Sequence, residues 1–331
     1  MKVLMTADTV GGVFTYAQDL AAALDAEVVL ATIGPRPGPH AHRDLKLEWM
    51  DDPWDDLAVT ERWLLEQEEQ ERPDVVHLNG FAHGAAPFRA PKLVAGHSCV
   101  LSWWQAVKGE PAPAEWDVYR RVVRTGIQAA DAVIAPTAFM LGELARLYGP
   151  LPGGGRVIHN GSPASAAAVP KERFVLAAGR FWDEAKNLAT LDAAARGLGA
   201  PVLLAGDTAG CSPRHARALG PLAPAELAAL RARAAVFAAP ARYEPFGLAI
   251  LEAARAGCSL VLGDIPSLRE LWDGAARFVD PGDPDALRAA LAEALAAPRP
   301  AVERAGRYSL EAMAAAHRAL YDELVDVRVA A

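Results

Sequence analysis

The chain has 331 residues, which is long for one hydrophobic core and predicts two domains of about 150 residues each. Hydrophobic residues make up 52% and charged residues 22% of the chain, which excludes an intrinsically disordered protein. The formal net charge of -8 is concentrated in residues 1–165, where 21 acidic residues stand against 14 basic ones. An acidic first half argues against nucleic-acid binding and against docking of that half on an anionic membrane.

The N-terminal segment and the cysteines favour a cytoplasmic protein. No apolar run approaches the length of about 20 residues that crosses a bilayer, and the start MKVLMTADTVGG does not resemble a secretory signal. Cys99, Cys211 and Cys258 lack CxxC spacing. We therefore expect reduced thiols, without a zinc site or a disulfide framework.

Strands and helices alternate through the first half of the chain. Short apolar strands are predicted at residues 2–6, 27–32, 74–78, 92–96, 132–135 and 157–159. Helices are predicted at residues 13–24, 56–71, 120–130 and 138–148. Alternation of this kind predicts right-handed βαβ crossovers and a parallel sheet that is covered on both faces.

The pattern stops at residues 159–171 and then begins again. This segment, HNGSPASAAAVPK, is rich in small residues and proline and is the best candidate for a linker. Further strands are predicted at residues 174–178, 202–205, 235–239 and 259–262, and helices at 187–197, 224–233, 246–256, 285–297 and 310–327. The sequence therefore predicts an α/β protein with two Rossmann-like domains that face each other across a ligand cleft.

A glycine turn follows the first strand, in TADTVGGV. Gly11 and Gly12 permit positive φ angles and close approach of a ligand to the backbone. The next helix would direct its first N–H groups towards that ligand, which favours an anion. The turn is neither GxGxxG nor a P-loop, and an ordinary βα turn remains an alternative.

Two cations follow the first strand of the second half, in GRFWDEAKN. Arg180 and Lys186 are six residues apart at the predicted carboxyl end of a strand, where open α/β sheets bind ligands. A guanidinium fork and a point charge together suit a diphosphate. A solvated basic turn is the alternative.

The stretch RYEPFGLAILE at residues 242–252 places two acids around a proline and a glycine. Pro245 suits the first turn of a helix, and Gly247 leaves the backbone N–H groups of residues 246–249 open to a ligand. Glu244 and Glu252 would repel phosphate, so we expect them to accept hydrogen bonds from hydroxyl groups. The alternative is one acid that complements a helix dipole and one that is paired elsewhere.

In this order, these pieces resemble the family-4 retaining glycosyltransferases, which have the two-domain GT-B fold. The most specific part is GRFWDEAKN followed by YEPFGLAILEAARAG, with the E-x7-E signature at Glu244 and Glu252. The segments ADTVGGVFTYAQDL, DVVHLNG, AGHSCVL and VIHNG also look like family segments in family order. The resemblance thus covers nearly the whole chain.

The resemblance implies a role for each acid and cation of the second half. Arg180 and Lys186 would clamp the diphosphate of a nucleotide sugar and stabilise the leaving group. Glu244 would contact hydroxyls of the donor sugar, and Glu252 would bind the ribose hydroxyls. The backbone amides of the short segment between them would hold phosphate or sugar, and that segment comprises Phe246, Gly247 and Leu248.

The resemblance also implies roles for the first half. Gly12, next to Gly11, would approach the diphosphate, and His97 in AGHSCVL would bind the 6-hydroxyl of the donor sugar or nearby main-chain atoms rather than act as a base. Without the resemblance, a single histidine after an apolar strand would be read as a structural residue.

No cofactor or metal is expected, because GT-B enzymes of this type stabilise the leaving group with cations and helix N-termini. The acidic stretch at residues 51–56, DDPWDD, reads as a solvated loop or a helix start rather than a metal site.

Two features depart from the family. Residues 207–217 form an unusually short segment after a strand, and Arg242 stands where family members carry a small residue.

The predicted domains are an acceptor-binding domain at residues 1–162 and a donor-binding domain at 163–311, with a final helix at 312–331 that packs back on the first domain. Residues 34–44 and 79–88 would form acceptor loops, with 102–108 nearby, where Trp103 and Trp104 could stack on an acceptor or pack in the core. The helix near 56–71 is acidic, which favours a soluble acceptor and at most weak membrane association.

The sequence leaves other functions open. A sugar phosphorylase or epimerase, or a non-catalytic nucleotide-sugar binding protein, would be compatible with the same fold. The identities of the donor sugar, its base and the acceptor are not encoded in any motif that we recognise.

Overall fold

The computed structural model describes residues 1–35, 41–164 and 169–330. The chain divides into two compact units. The N-terminal unit comprises Met1–Gly161 and Leu310–Ala331, and the C-terminal unit comprises Ser162–Ser309. The boundary between Gly161 and Ser162 lies inside the segment predicted as a linker, of which residues 165–168 lie outside the described residues.

The N-terminal unit contains a parallel sheet in the order β3-β2-β1-β4-β5-β6-β7, the order of a Rossmann-like fold extended by one strand. Its strands are β1 Lys2–Asp8, β2 Glu27–Ile33, β3 Ala41–Arg43, β4 Val75–Leu78, β5 Lys92–Ala95, β6 Ala132–Ala135 and β7 Arg156–Val157. Its helices are α1 Gly12–Ala23, α2 Trp54–Glu71, α3 Val100–Lys108, α4 Asp117–Gln128, α5 Ala138–Tyr148 and the last helix of the chain, α12 Leu310–Ala330.

The central strands of this sheet are mostly hydrophobic because helices cover both faces. Residues 3–7 of β1 and all of β4 are buried, and they include Leu4, Met5 and Val76. Helix α12 returns to this unit and packs against α1 and β4. The helix therefore belongs to the N-terminal unit although it is far in sequence from the rest of that unit.

The C-terminal unit repeats this design with a parallel sheet in the order β10-β9-β8-β11-β12-β13. Its strands are β8 Glu172–Ala178, β9 Val202–Ala205, β10 Arg217–Gly220, β11 Ala234–Ala239, β12 Ser259–Gly263 and β13 Arg277–Val279. Its helices are α6 Leu188–Ala195, α7 Pro224–Arg233, α8 Leu248–Arg255, α9 Pro266–Trp272, α10 Pro284–Ala296 and α11 Val302–Ala305. Two clusters of buried side chains flank this sheet and include Phe237 in one and Val236 in the other.

The α/β class and the two Rossmann-like sheets confirm the predicted fold, while several short elements escaped the sequence analysis. Helix α3 begins at a cysteine cap, in which Cys99 Sγ accepts a hydrogen bond from Ser102 N (3.4 Å). Cysteine is not among the residues that mark helix starts in a sequence. Strands β3, with the sequence AHR, and β10, with the sequence RALG, contain no apolar run of the kind that marks the other strands.

The acidic stretch at residues 51–56 leads into helix α2. Asp55 and Asp56 lie in the first turn of α2, where carboxylates complement the helix dipole, and Asp56 accepts a hydrogen bond from Lys46 N (2.7 Å). Among the described residues, no helix combines the length and the apolar character needed to span a membrane.

Candidate active site

An ion pair at the carboxyl edge of the C-terminal sheet joins two of the predicted site residues. Lys186, at the end of a short 3-10 helix after β8, donates from Nζ to Glu244 Oε2 (2.6 Å). Glu244 lies in the loop after β11, the strand next to β8. Both side chains keep about a fifth of their surface exposed, 22% for Lys186 and 18% for Glu244. The pair is therefore shielded from bulk water but accessible to a ligand.

Backbone and amide hydrogen bonds fix the two loops to each other. Arg242 N donates to Ala185 O (2.9 Å), which connects the loop after β11 to the loop after β8. The buried Asn187 donates from Nδ2 to Pro240 O (2.9 Å) and to Pro281 O (2.6 Å). Asn187 thus ties together loops that follow three strands, and it does so in a left-handed conformation (φ 57°), which asparagine tolerates better than most residues.

Arg180 lies in the same loop as Lys186, as the sequence predicted. Its guanidinium carbon is 5.3 Å from the centre of the Trp182 ring, a cation–π arrangement that holds the planar group over an aromatic face. The stem of Lys186 passes over Gly179, whose position for a Cβ atom would be 3.6 Å from Lys186 Cδ. Arg180 and Lys186 therefore place two positive charges at the carboxyl end of β8.

The RYEPFGLAILE stretch differs from its prediction at the helix start. Helix α8 begins at Leu248, so Pro245 lies before the helix rather than in its first turn. Gly247 caps the helix with φ +85°, and a Cβ atom there would approach Ile250 Cδ1 to 2.7 Å. Glycine is thus required by the backbone itself, whether or not a ligand approaches. Phe246 and Tyr243 are buried.

The second acid of the signature is also paired. Glu252 lies in the middle of α8 and accepts a hydrogen bond at Oε2 from the Arg231 guanidinium near the end of α7. Arg231 is only 13% exposed and Glu252 26% exposed. The sequence does not single out Arg231, because the α7 segment AELAALRAR carries two arginines, Arg231 and Arg233, on different sides of the helix.

In the N-terminal unit, Gly11 and Gly12 lie at the start of α1, as predicted. Gly11 is the N-cap with φ 107°, a conformation that favours glycine, and Gly12 is the first residue of the helix. Both are exposed. The backbone N–H groups of the first turn therefore face outwards at the carboxyl end of β1.

His97 follows β5 by two residues and forms a hydrogen bond between Nε2 and Asn79 Oδ1 (2.8 Å). Asn79 follows β4 and is held at the end of β1, because its Nδ2 donates to Thr6 O (2.7 Å) and its backbone N donates to Thr6 Oγ1 (2.9 Å). Burial, together with a smaller effect of the neighbouring His317, lowers the pKa of His97 to about 3. His97 is therefore neutral over the physiological range.

Behind His97 lies a buried aromatic cluster that we call the His–Tyr cluster, formed by Tyr16, His77, His317 and Tyr321. The Tyr16 ring meets His97 edge-on at a centroid distance of 4.5 Å. Tyr16 Oη contacts His317 Nε2 (2.8 Å), and Tyr321 Oη contacts His77 Nδ1 (2.6 Å). Helix α12 therefore supplies half of the cluster.

Sequence comparisons assign the chain to a family. Residues 10–164 match the model of the family described as Glycosyltransferase Family 4, and residues 172–297 match that of Glycosyl transferases group 1. The chain is a family-4 glycosyltransferase. No curated protein matches the chain at a significant level.

Solved structures resemble this glycosyltransferase over its full length and confirm the GT-B fold. Sucrose-phosphate synthase from Thermosynechococcus elongatus has a TM-score of 0.77 at 21% identity, covering 99% of this chain and 100% of that one. Anabaena HepE in complex with UDP and glucose has a TM-score of 0.75 at 17% identity, covering 98% and 100%. A Rickettsia africae glycosyltransferase reaches 0.68 at 14% identity, covering 98% of both chains.

The glycosyltransferase carries a further carboxyl group beside the loop at residues 79–88. Glu48 accepts hydrogen bonds from Phe81 N (3.0 Å) and Ala82 N (2.6 Å) at Oε2. Burial raises the pKa of Glu48 to about 7, with the hydrogen bonds from Ala82 N and Phe81 N opposing the rise and the nearby Asp8 adding to it. No sequence signal marks Glu48, although it anchors a loop that the sequence assigned to the acceptor side.

The two tryptophans considered for acceptor stacking in this glycosyltransferase lie on helix α3, not in a loop. Trp104 packs against the hydrophobic core and against Trp116 at a ring distance of 6.3 Å. Trp103 meets Trp104 at 6.1 Å, with Lys108 Nζ 5.7 Å from the centre of its ring. Trp104 therefore has a packing role. Of the predicted acceptor loop at 34–44, residues 36–40 lie outside the described residues.

Proposed function

We propose that this glycosyltransferase moves a sugar from a nucleoside-diphosphate sugar to a hydroxyl acceptor, with retention of configuration and without a metal ion. The observation that carries the proposal is the Lys186–Glu244 pair beside Arg180, at the carboxyl edge of the C-terminal sheet. Open α/β sheets bind ligands at this edge. The C-terminal unit would bind the donor, and the N-terminal unit the acceptor.

Charge decides which group of the donor meets which side chain. Arg180 and Lys186 are the cations of this loop that would meet the diphosphate, whereas Asp183 between them caps the short 3-10 helix by accepting a hydrogen bond from Ala185 N (2.9 Å). As the bond from the anomeric carbon to the diphosphate breaks, negative charge grows on the leaving phosphate, and fixed cations stabilise it. Glu244 keeps one carboxylate oxygen, Oε1, for a sugar hydroxyl while Oε2 accepts from Lys186.

Glu252 would bind the ribose hydroxyls, and the amides at the start of α8, from Phe246 to Leu248, would contact phosphate or sugar. Gly11 and Gly12 would let the diphosphate approach the first turn of α1. We further propose that His97 accepts a hydrogen bond from a sugar hydroxyl. In same-face attack, the departing phosphate takes the proton of the acceptor hydroxyl, so the protein needs no covalent nucleophile.

The base and sugar of the donor are tested by binding and turnover. The relative HepE was solved with UDP and glucose, so UDP-glucose is the first donor to test, followed by GDP- and ADP-sugars. We expect at least one of them to raise the melting temperature and to be hydrolysed slowly or transferred. NMR of the first-formed product should show the anomeric configuration of the donor, and EDTA should leave the rate unchanged.

The test variant is Glu244→Gln, which keeps the shape of the side chain but removes its charge. It should slow turnover while the nucleoside diphosphate product binds more tightly, since Lys186 is no longer neutralised. Failure of every nucleotide sugar and every nucleoside diphosphate to bind would refute the donor proposal. An inverted product, or a rate abolished by EDTA and restored by a divalent cation, would refute retention or metal independence.

A further inference from the structure

The hydrogen bonds around Asn79 determine which nitrogen of His97 carries its proton. A backbone carbonyl only accepts hydrogen bonds, so the side-chain atom of Asn79 that faces Thr6 O must be the amide nitrogen Nδ2. The amide oxygen Oδ1 therefore faces His97 Nε2 at 2.8 Å. Because Oδ1 has no hydrogen, Nε2 of His97 must donate, and Nδ1 of the neutral ring carries a lone pair.

Two hydrogen bonds and its position directly after a strand make Asn79 a rigid support. Its backbone N and its side chain both bond to Thr6, at the end of the central strand β1. Asn79 also follows β4 directly, and β4 is held in the sheet next to β1. A side chain fixed at both its backbone and its amide loses little further entropy when it orients a neighbour.

The other side of the His97 ring is held by the His–Tyr cluster. Tyr16 packs edge-on against it, and the hydroxyl of Tyr16 is held in turn by His317 of α12. His317 Nδ1 lies 2.8 Å from Met313 O, which fixes Nδ1 as the donor, so Nε2 accepts from Tyr16 Oη. The whole arrangement is neutral, as its burial requires.

We propose that Asn79 is a positioning residue that holds His97 as the neutral Nε2–H tautomer, so that Nδ1 accepts a hydrogen bond from a ligand hydroxyl. The ligand group at His97 is then a hydroxyl and not a phosphate oxygen, which has no proton to donate at neutral pH. This inference rests on the proposed function only for the identity of the ligand as a sugar. The tautomer of His97 is independent of it.

The chemistry of His97 follows from the same arrangement. A ring nitrogen that binds protons weakly accepts a hydrogen bond but leaves the proton on the hydroxyl. His97 therefore orients a sugar hydroxyl and does not deprotonate the acceptor. The expected consequence of losing Asn79 is weaker binding of the sugar part of the ligand, with little change in the binding of a nucleoside diphosphate that has no sugar.

The test is nitrogen-15 NMR of the histidine side chains in the full chain, with the His97 signals assigned from a His97→Gln variant. The wild type should show the pattern of a single Nε2–H tautomer for His97 between about pH 6 and pH 8. Asn79→Ala should give a mixture of both tautomers. Equilibrium binding should show nucleotide-sugar affinity about 10-fold weaker, the size expected for one lost hydrogen bond, with nucleoside-diphosphate affinity unchanged.

Arg318→Gln is the matched control, because Arg318 is the neighbour of His317 on α12 but binds Asp25 O and Asp322 instead of the cluster. It should leave the His97 signals unchanged. An Nδ1–H tautomer or a mixture in the wild type overturns the proposal even if Asn79→Ala fails to fold. An unchanged tautomer in folded Asn79→Ala overturns it as well. A changed tautomer with unchanged nucleotide-sugar affinity supports the positioning role and refutes the assignment of His97 to the sugar.

Discussion

The two units use the carboxyl edge of the same kind of sheet in opposite ways. The C-terminal unit presents charges, with Lys186 and Glu244 paired and partly exposed beside Arg180. At the ends of β4 and β5 the N-terminal unit presents neutral groups, with His97 held by Asn79 and backed by the His–Tyr cluster. A charged edge suits the diphosphate of a donor, whereas a neutral, hydrogen-bonding edge suits hydroxyl groups.

Burial explains why the edge of one sheet carries charged side chains and the edge of the other carries neutral ones. A fully buried charge is costly unless it is paired, so burial lowers the pKa values of His77, His97 and His317, that of His317 to about 4. Lys186 and Glu244 retain enough contact with water to remain an ion pair. The difference predicts that the C-terminal edge is sensitive to loss of charge, while the N-terminal edge is sensitive to gain of charge.

Loss of charge in the C-terminal unit should have the largest effect. Lys186→Ala removes one of the two cations that would stabilise the leaving phosphate. We expect kcat/KM to fall by about 100- to 1,000-fold, the range found when one preorganised donor to a developing anion is removed. Steady-state kinetics with the identified donor measure this directly.

Arg233→Ala is the control for that experiment, since Arg233 forms an exposed ion pair with Glu172 on the same unit. It should keep near wild-type activity, because exposed ion pairs contribute little. A Lys186→Ala enzyme that melts at the wild-type temperature and keeps its full kcat/KM would show that the charge of Lys186 is not used in the reaction.

The comparison also explains what the sequence could reveal. The charged residues lie on short, continuous motifs, so GRFWDEAKN and RYEPFGLAILE predict Lys186, Glu244 and Glu252 as candidates, and the structure joins Lys186 to Glu244 directly. The alternation of strands and helices likewise predicted both sheets, because each βαβ unit is a local pattern.

The neutral groups of the N-terminal unit could not be predicted from a short motif, because the residues that contact each other there are far apart in sequence. Tyr16 and His317 are separated by 301 residues, and His77 and Tyr321 by 244. Only the docking of α12 on α1 and β4 brings them together. Asn79 was visible in DVVHLNG, but its role depends on the distance to His97, which no spacing rule gives.

Protonation of the buried histidines in the N-terminal unit should lower the free energy of unfolding in acid. The pKa of His317 is about 4 in the folded chain and about 6.5 when unfolded, so the unfolded state binds the proton first. Stability is therefore complete above about pH 6.5 and is lost as the pH falls towards 4, by up to about 3 kcal/mol for one such histidine. Buried His77 and His97 act in the same direction, because burial also lowers the pKa of each.

Glu48 opposes this trend, because its folded pKa of about 7 lies above the ordinary value of 4.5 and its contribution is lost as the pH rises through 7. Burial lowers the pKa values of four histidines, His77, His83, His97 and His317, and raises those of two carboxyls, Glu48 and Asp19, which leaves a net loss of stability on the acid side. Urea unfolding at a series of pH values measures the effect, and His317→Gln should flatten the curve between pH 6.5 and 4. An equally steep curve in that variant would mean that His317 does not stay neutral in the folded protein.

The smallest expected effect concerns the pair between Arg231 and Glu252 on α7 and α8. Because Arg231 holds one oxygen of Glu252, it fixes the direction of the carboxylate that we propose to bind ribose. Arg231→Gln should raise the KM or Kd for the nucleotide donor by about 3- to 10-fold, with kcat nearly unchanged. The effect is small because Arg231 contacts Glu252 and not the ligand itself. Arg233→Gln, two residues further along the same helix and exposed, should change neither value.

Because inorganic pyrophosphate lacks ribose, its affinity should be the same in both variants. If Arg231→Gln weakened pyrophosphate and nucleotide equally, Arg231 would act on the diphosphate, and the division between a phosphate-binding pair at Lys186–Glu244 and a ribose-binding acid at Glu252 would be wrong.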